Sequence, residues 1–250
     1  MMKRFPLLTS GLTALALAGL PSVAPARTVE LGQTSPLAVP TCPPNTSASQ
    51  CNIILPRMTV VQTRSDGVAS PVMVKQSGWI VAFSVGLSRL STSMSTTRSY
   101  LHALDAQYGG TPQVMLTVLK PGPMSSYTVV AQSQSFHLIP FLGSVLSEPL
   151  SLPPTFSSFN ALPVKPGDIV ALTVPTWAPV ISYNLNPSRF AYRQSRKANC
   201  THSPAGQNAQ LMVGASTRYL CTYTGVRIQY SATEITNTPY PTTYVHGGRR

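Results

Sequence analysis

The chain has 250 residues and a formal net charge of +12, because 18 Lys and Arg residues stand against only six Asp and Glu residues. Only 10% of residues are charged, well below the share of roughly one quarter in soluble domains, and this argues against helical bundles and coiled coils. The 24 prolines and the many Thr, Ser and Val residues indicate short strands joined by turns. The length suits a single domain with one hydrophobic core.

The N-terminal segment has the layout of a secretory signal peptide. Two basic residues begin it, residues 7–20 are mostly apolar, and Ala24 and Ala26 are small residues of the kind that precede a signal-peptidase cut. The apolar stretch is short for a membrane span, which needs about 20 residues. We therefore predict that residues 1–26 are a signal peptide cleaved near Ala26. The protein is then secreted and extracellular, with no membrane span after cleavage.

Next in chain order, residues 27–41 are polar and contain prolines, and we expect this N-terminal segment to be irregular. Residues 42–232 hold the predicted strands and form the β-sandwich domain. Residues 233–250 are rich in Thr, Pro and Gly and have few apolar anchors, so we expect a disordered C-terminal tail.

Four cysteines agree with export: Cys42, Cys51, Cys200 and Cys221. An even number of cysteines in an exported chain predicts two disulfides. Of the possible pairings we favour Cys42–Cys51 and Cys200–Cys221, because this choice closes the two shortest loops. We expect no metal site, since the cysteines lack a C-x-x-C spacing and His202 is the only histidine near them.

Alternating or β-branched segments, separated by Pro and Gly turns, predict strands along most of the domain. They are residues 58–63, 79–85, 114–118, 127–134, 169–174, 211–213, 219–223 and 226–230. The period of two in residues 79–85 places Trp79 in the core. Short strands at this spacing predict an all-β fold, an antiparallel jelly-roll-like β-sandwich of about eight to ten strands.

One long excursion interrupts the strands. Residues 87–97 are rich in Ser and Thr, and residues 99–108 predict one short helix that Gly109 and Gly110 would end. We interpret the excursion as a lid over an open end of the sandwich.

Several segments, in their order along the chain, resemble a group of secreted all-β proteins of actinobacteria for which no activity is established. They are residues 108–112, 116–121, 162–172 and 173–179, together with Tyr127. The similarity extends from about residue 51 to residue 234. The resemblance implies export and a β-sandwich domain, and it implies no reaction and no catalytic residue.

The sequence lacks the motifs of common enzyme chemistry. It contains no G-x-G-x-x-G, phosphate-binding loop, G-x-S-x-G or H-E-x-x-H motif, and we predict neither a nucleotide nor another cofactor. The carboxylates offer no clear pair for glycoside hydrolysis, since Asp66 and Asp168 lie in turns and Glu30 and Glu234 lie near the chain ends. We name no catalytic residue. A lyase-like, polysaccharide-directed enzyme that uses His, Tyr and Arg stays open as an alternative.

Positive charge is the clearest indication of a ligand. A basic exported protein attracts anionic polymers such as wall polymers, extracellular DNA and acidic polysaccharides. Arginines interleaved with aromatic residues can pair with anions and stack on rings. The densest such segment contains Arg189, Tyr192, Arg193, Arg196 and Lys197, which we predict to bind the ligand. The alternative is that this segment is a basic loop exposed to solvent and not a binding site.

Trp177 is the last candidate ligand-binding residue. It lies between Pro175 and Pro179, directly after a predicted strand, where its ring could face outward and stack on a sugar. The alternative is an indole buried in the small core of its own loop. The sequence thus predicts a secreted, non-catalytic binding or surface-associated module for an anionic or carbohydrate polymer. A structural or partner-binding protein of the cell envelope is a further alternative.

Overall fold

The computed structural model describes residues 26–150, 160–196, 200 and 208–236. The strands in these residues are β1 Arg27–Leu31, β2 Ile54–Ser65, β3 Val68–Ala69, β4 Gly78–Gly86, β5 Gln113–Pro121, β6 Ser126–Gln132, β7 Phe136–His137, β8 Val145–Pro149, β9 Leu162–Val164, β10 Ile169–Pro179, β11 Ile181–Ser182, β12 Ala191–Gln194, β13 Ser216–Arg218, β14 Cys221–Thr224, β15 Arg227–Ile228 and β16 Tyr230–Thr236. The helix α1 spans Met94–Tyr108, and short 3-10 helices span Ala48–Gln50, Pro123–Ser125 and Ile139–Phe141.

Two antiparallel sheets pack face to face as a β-sandwich. The smaller sheet has the order β1-β16-β4-β8, and β9 also pairs with β4. The larger sheet has the order β13-β6-β5-β10-β2-β12-β14, with β3 paired to β2 and β7 to β5. The predicted all-β, antiparallel sandwich with one α-helix is confirmed. The described strands outnumber the expected eight to ten because many of them have only two to four residues.

The core lies between the two sheets, because alternate residues of the long strands face inward. Phe83 on β4 and Leu172 on β10 are 1% and 0% exposed. The Phe83 ring meets Phe136 edge-on at a centroid distance of 4.9 Å. Trp79 is buried at the start of β4, as its period-two pattern predicts.

Tyr230 joins the two sheets through its hydroxyl group. It lies on β16 of the smaller sheet, and its hydroxyl donates to the Val170 carbonyl of β10 at 3.0 Å. The same oxygen accepts the Gln62 backbone N–H of β2 at 3.3 Å. Burial raises the pKa of Tyr230 well above its ordinary value, so the phenol keeps the proton that it donates.

Both ends of the described chain belong to the smaller sheet, which corrects two predictions. β1 pairs with β16 from Arg27–Thr236 to Leu31–Ala232. Residues 27–31 are therefore not irregular, and residues 233–236 are part of the domain. Residues 27–30 of β1 are exposed at the edge of the sheet, where a strand needs few apolar residues, and three of the residues 233–236 are polar although Glu234 and Thr236 are buried. Neither segment therefore shows an apolar pattern in the sequence. The rest of the predicted tail, residues 237–250, and residues 1–25 of the predicted signal peptide lie outside the described residues.

Seven of the eight predicted strand segments overlap observed strands. The exception is 211–213, which forms an exposed turn in which Met212 and Val213 are 71% and 64% exposed. Three apolar residues in a row resemble a short buried strand in sequence. The chain instead turns here and passes Gly214 with a left-handed φ of 88°.

Helix α1 occupies the predicted excursion but begins at Met94, five residues before the predicted start at residue 99. Ser93 caps it, since its Oγ accepts the Thr96 backbone N–H. Gly109 ends the helix with a φ of 80°, as predicted. The buried face of α1 packs over the end of β10, which agrees with the interpretation as a cover.

The two disulfides are Cys42–Cys51 and Cys200–Cys221, which confirms the predicted pairing. Disulfides form and persist in oxidising compartments, so the two bonds indicate an extracellular or otherwise oxidising environment. In the described part of the chain, no helix combines the length and apolar character that a bilayer span requires.

Candidate functional site

The predicted basic segment does not form one exposed patch. Strand β12 sends alternate side chains to opposite faces of the larger sheet. Tyr192 packs against the core on the inner face, while the Arg193 guanidinium on the outer face donates to Ser125 Oγ at 2.8 Å and Thr222 Oγ1 at 3.0 Å. Tyr192 and Arg193 are therefore separated by the thickness of the sheet.

Arg189 lies in the turn before β12, and its exposed side chain reaches Asp66 at 3.3 Å. Hydrogen bonds from Ser35 and Thr34, with smaller contributions from nearby guanidinium groups, hold the pKa of Asp66 below its ordinary value. Arg189 is thus engaged in fixing a turn of the sandwich. Lys197 lies outside the described residues.

Trp177 is fully buried, so of the two interpretations of this residue the buried indole is confirmed and the outward-facing, ligand-binding ring is wrong. Its exposed fraction is 0%, and helix α1 covers it with Tyr100 and Leu104. The indole Nε1–H donates to Asp105 Oδ1 at 2.9 Å and to the Gly110 carbonyl at 3.1 Å. Trp177 anchors the helix to β10 and offers no free face to a sugar.

A cavity of about 530 Å³ lies where α1 meets β2, β12 and β14, and we call it the tyrosine cavity. Four of the ten tyrosines of the chain line it: Tyr108, Tyr183, Tyr192 and Tyr223. Its polar lining includes Asn52, Gln107, Gln194 and Arg196. The described lining residues include no carboxylate. Its volume falls within the range of about 300 to 1,000 Å³ in which proteins hold small ligands.

Two of these tyrosines form a stacked pair in the cavity wall. Tyr192 and Tyr223 face each other across β12 and β14, with ring centroids 5.0 Å apart and planes 18° from parallel. The Gln194 side-chain amide donates to the Tyr223 hydroxyl at 2.7 Å, and this hydroxyl donates to the Cys200 carbonyl at 2.8 Å. The Cys200–Cys221 disulfide joins the same strand, so the pair is held on a fixed support.

Arg196 gives the tyrosine cavity a positive charge. Its side chain lines the cavity and the residue is only 4% exposed. Burial raises the pKa of both Tyr192 and Tyr223, and the nearby Arg196 guanidinium lowers the two values by less. Both phenols therefore stay protonated at neutral pH. The cavity offers aromatic faces, hydroxyl and amide groups, and one cation.

The structure thus brings two of the predicted ligand-binding residues, Tyr192 and Arg196, to one cavity. Sequence reasoning did not identify the other three tyrosines of the cavity. They come from α1, from the residue after β11 and from β14, and only the long-range pairing of these elements brings them together.

A larger cavity of about 690 Å³ lies beside the first half of α1. Its wall is mostly Pro, Ser and Thr, and Arg89 is the only charged residue among its described lining. Tyr100 is its single aromatic residue, and the Tyr100 hydroxyl already donates to the Thr46 carbonyl. This cavity lacks the convergence of rings and amides that distinguishes the tyrosine cavity.

The histidines in the described residues do not join the tyrosine cavity. His102 and His137 are exposed and are not part of its lining. Within the same ranges, no three His, Cys, Asp or Glu side chains are grouped as a metal ion would require. His202, the histidine near the cysteines, lies outside the described residues.

Glu234 has an environment that the sequence does not indicate. It lies in β16, opposite Val29 of β1 and Ile80 of β4, and it is 1% exposed. Its Oε1 has no hydrogen-bond partner in the described part of the protein. Burial raises the pKa of Glu234 from its ordinary 4.5 to about 7. It lines a third cavity of about 340 Å³.

Glu30 lines the same third cavity but does not form a facing carboxylate pair with Glu234. The Glu30 carboxylate accepts the Thr233 hydroxyl at 2.6 Å. Thr233 and Glu234 are consecutive in β16, so their side chains project to opposite faces. The arrangement does not resemble the facing acids of a glycoside hydrolase.

Comparison of the chain with protein-family models, with curated proteins and with solved structures found no match. The resemblance to secreted proteins of actinobacteria stays a prediction.

Proposed function

We propose that the protein is a secreted, non-catalytic binding module for an anionic carbohydrate polymer and that the tyrosine cavity holds one acidic sugar unit. The observation that supports this most strongly is the convergence of four tyrosines and Arg196, without a described carboxylate, on one cavity. The two disulfides and the predicted signal peptide support export.

The chemistry of the cavity matches an acidic sugar. A flat phenol ring packs against the apolar face of a pyranose, and protonated phenols and amides donate to its hydroxyl groups. A guanidinium pairs with a carboxylate or sulfate substituent by charge-assisted hydrogen bonds. The net positive charge, which is still +10 after the predicted signal peptide with Lys3 and Arg4 is removed, attracts the polymer before the cavity selects the unit.

The substitution Arg196→Gln tests this role, with oligogalacturonate as the acidic probe and maltohexaose as the neutral one. We expect Arg196→Gln to weaken oligogalacturonate binding about tenfold or more, because a charge-assisted contact is lost in a buried setting. The matched control is Arg193→Gln, which removes the same charge three residues away on the outer face. We expect it to change the affinity less than about twofold.

Isothermal titration calorimetry gives both affinities, and thermal unfolding shows whether each variant is folded. Tyr108→Ala provides a second test at the C-terminal end of α1, because it removes one ring from the cavity and leaves Arg196 in place. Equal losses for Arg196→Gln and Arg193→Gln, or equal affinity for the two probes, would contradict the assignment of the site.

A further inference from the structure

The third cavity, which we call the Glu234 cavity, lies between the edge of the smaller sheet and the segment that begins with β3. β1 and β16 form one wall, and residues 68–76 form the other. Its apolar lining includes Val29 and Met73, which are 38% and 37% exposed. The cavity shares no lining residue with the tyrosine cavity, so it is a separate site.

Glu234 is the unusual member of this lining. The chain has only six acidic residues, and this one is 1% exposed with an Oε1 that no described group reaches by hydrogen bond. A buried carboxylate without a partner destabilises a fold, and native proteins contain few such groups. A ligand that donates a hydrogen bond to this oxygen supplies the missing partner.

The backbone leaves room for this carboxylate. A Cβ atom placed on Gly78 of β4 would lie 3.1 Å from Glu234 Oε1 and 2.2 Å from the Ile235 carbonyl oxygen. Only glycine permits this close approach of β4 to β16. The position of the carboxylate is therefore set by the packing of the two strands.

The charged groups around the cavity do not neutralise Glu234. Arg27 and Glu30 on β1 and Lys75 in the facing segment have exposed side chains. Glu30 bonds Thr233, and none of the ion pairs in the described residues involves Glu234. β4, which also packs against Glu234, carries no charged residue.

We propose that the Glu234 cavity binds a primary ammonium group on a short alkyl stem, the chemistry that a lysine side chain and a free alkylamine share. The ammonium supplies up to three N–H donors and a positive charge to the Glu234 carboxylate. The stem packs against Val29 and Met73, which are both partly exposed. The cavity volume of about 340 Å³ accommodates such a group.

Binding of this group depends on pH in a defined direction. Burial raises the pKa of Glu234 to about 7, so the carboxylate is mostly protonated at pH 5 and mostly ionised at pH 8. An alkylammonium group stays charged up to about pH 10. Affinity therefore rises as the pH increases from 5 to 8.

Calorimetric titration of the purified protein with hexylammonium chloride, hexanol and hexanoate tests the site. We expect millimolar or tighter binding of hexylammonium only. Glu234→Gln, which keeps the shape of the side chain, should weaken this binding about tenfold or more. The control Glu30→Gln removes an exposed charge at the same cavity and should change the affinity less than about twofold.

A second titration with Nα-acetyl-lysine methylamide distinguishes the two sources of the ammonium group. Binding of both compounds assigns the lysine side chain, and binding of hexylammonium alone assigns a free alkylamine. Equal binding of hexanol and hexylammonium, an unchanged affinity in Glu234→Gln, or no binding at all would overturn the proposal. Arg196→Gln should leave the affinity for hexylammonium unchanged, so this result is independent of the tyrosine cavity.

Discussion

At the scale of single residues, Glu234 links the stability of the fold to pH. Its pKa is about 7 in the folded protein and near the ordinary 4.5 in the unfolded chain. Between these values the folded state binds more protons than the unfolded state, so the free energy of unfolding falls as the pH rises from 4.5 to 7. The stabilising contribution of the protonated form is complete at low pH and is lost above pH 7.

Glu234→Gln removes this dependence. We expect the variant to be more stable than the parent at pH 8 by about 1 to 3 kcal/mol and to differ little at pH 4.5. Thermal unfolding of both proteins at the two pH values measures the difference, with Glu30→Gln as the exposed control. A Tm difference of the same size at both pH values would show that ionisation of Glu234 is not the cause.

A buried row of hydroxyl groups crosses the outer face of the larger sheet. Thr173 Oγ1 lies 2.9 Å from Thr59 Oγ1 and 2.7 Å from Thr117 Oγ1. The Gln210 backbone N–H donates to Thr59 Oγ1 at 2.9 Å, and the Gln132 amide donates to Thr117 Oγ1 at 2.8 Å. Thr59, Thr117 and Thr173 are all 0% exposed. The hydrogen bonds within the row therefore take the place of the hydrogen bonds that exposed hydroxyl groups make to water.

Thr173→Val tests the row because valine keeps the shape and removes only the hydroxyl group. We expect a loss of about 2 kcal/mol in the free energy of unfolding, since buried hydroxyl donors lose their acceptor. Thr173→Ser keeps the hydroxyl group and loses a buried methyl group, which costs about 1 kcal/mol. Chemical denaturation measures both values. A smaller loss for valine than for serine would mean that the row contributes nothing.

Single residues of the core could be predicted from sequence, and the ligand-binding residues could be predicted only in part. The alternation around Trp79 identifies it as core, because burial follows directly from a period of two. The prolines around Trp177 suggest an exposed ring, but its hydrogen-bond partner Asp105 lies 72 residues earlier in the chain. A contact at that distance in sequence leaves no local pattern.

At the scale of elements, Gly109 sets the C-terminus of α1. Its φ is 80°, and a Cβ atom placed there would meet nothing within 4 Å. A substitution therefore changes only the backbone preference. We expect Gly109→Ala to lower the free energy of unfolding by about 1 kcal/mol and Gly109→Asn to lower it less, because Asn tolerates the left-handed region. Thermal unfolding ranks the two variants, and an equal effect of both would contradict this explanation.

The elements that sequence reasoning missed are those with mixed or polar composition. By composition, β12 belongs to a basic segment. The alternation of its side chains, however, places Tyr192 on the inner face of the larger sheet and Arg193 on the outer face. If residues 191–194 are recognised as a strand, Arg193 and Arg196 are no longer expected to form one exposed patch. β1 and the end of β16 are not predicted as strands because most of their residues are polar, although β16 lies between β1 and β4 in the smaller sheet.

At the scale of the whole molecule, the all-β class could be predicted from composition and the tyrosine cavity could not. Low charge and frequent Pro, Thr and Val favour short strands wherever they lie in the chain. The cavity instead requires α1, β2, β12 and β14 to meet, and these elements span residues 54 to 224. The residues that line the cavity can be identified only when the pairing of the strands is known.

A pull-down of the purified protein on immobilised polygalacturonate, double-stranded DNA and a neutral glucan, at low and at high salt, tests the proposed function. We expect retention on polygalacturonate that weakens at high salt, because the basic surface contributes screened attraction. Retention on the neutral glucan should be much weaker. Retention on none of the three, or retention on DNA alone, would contradict an anionic carbohydrate as the ligand.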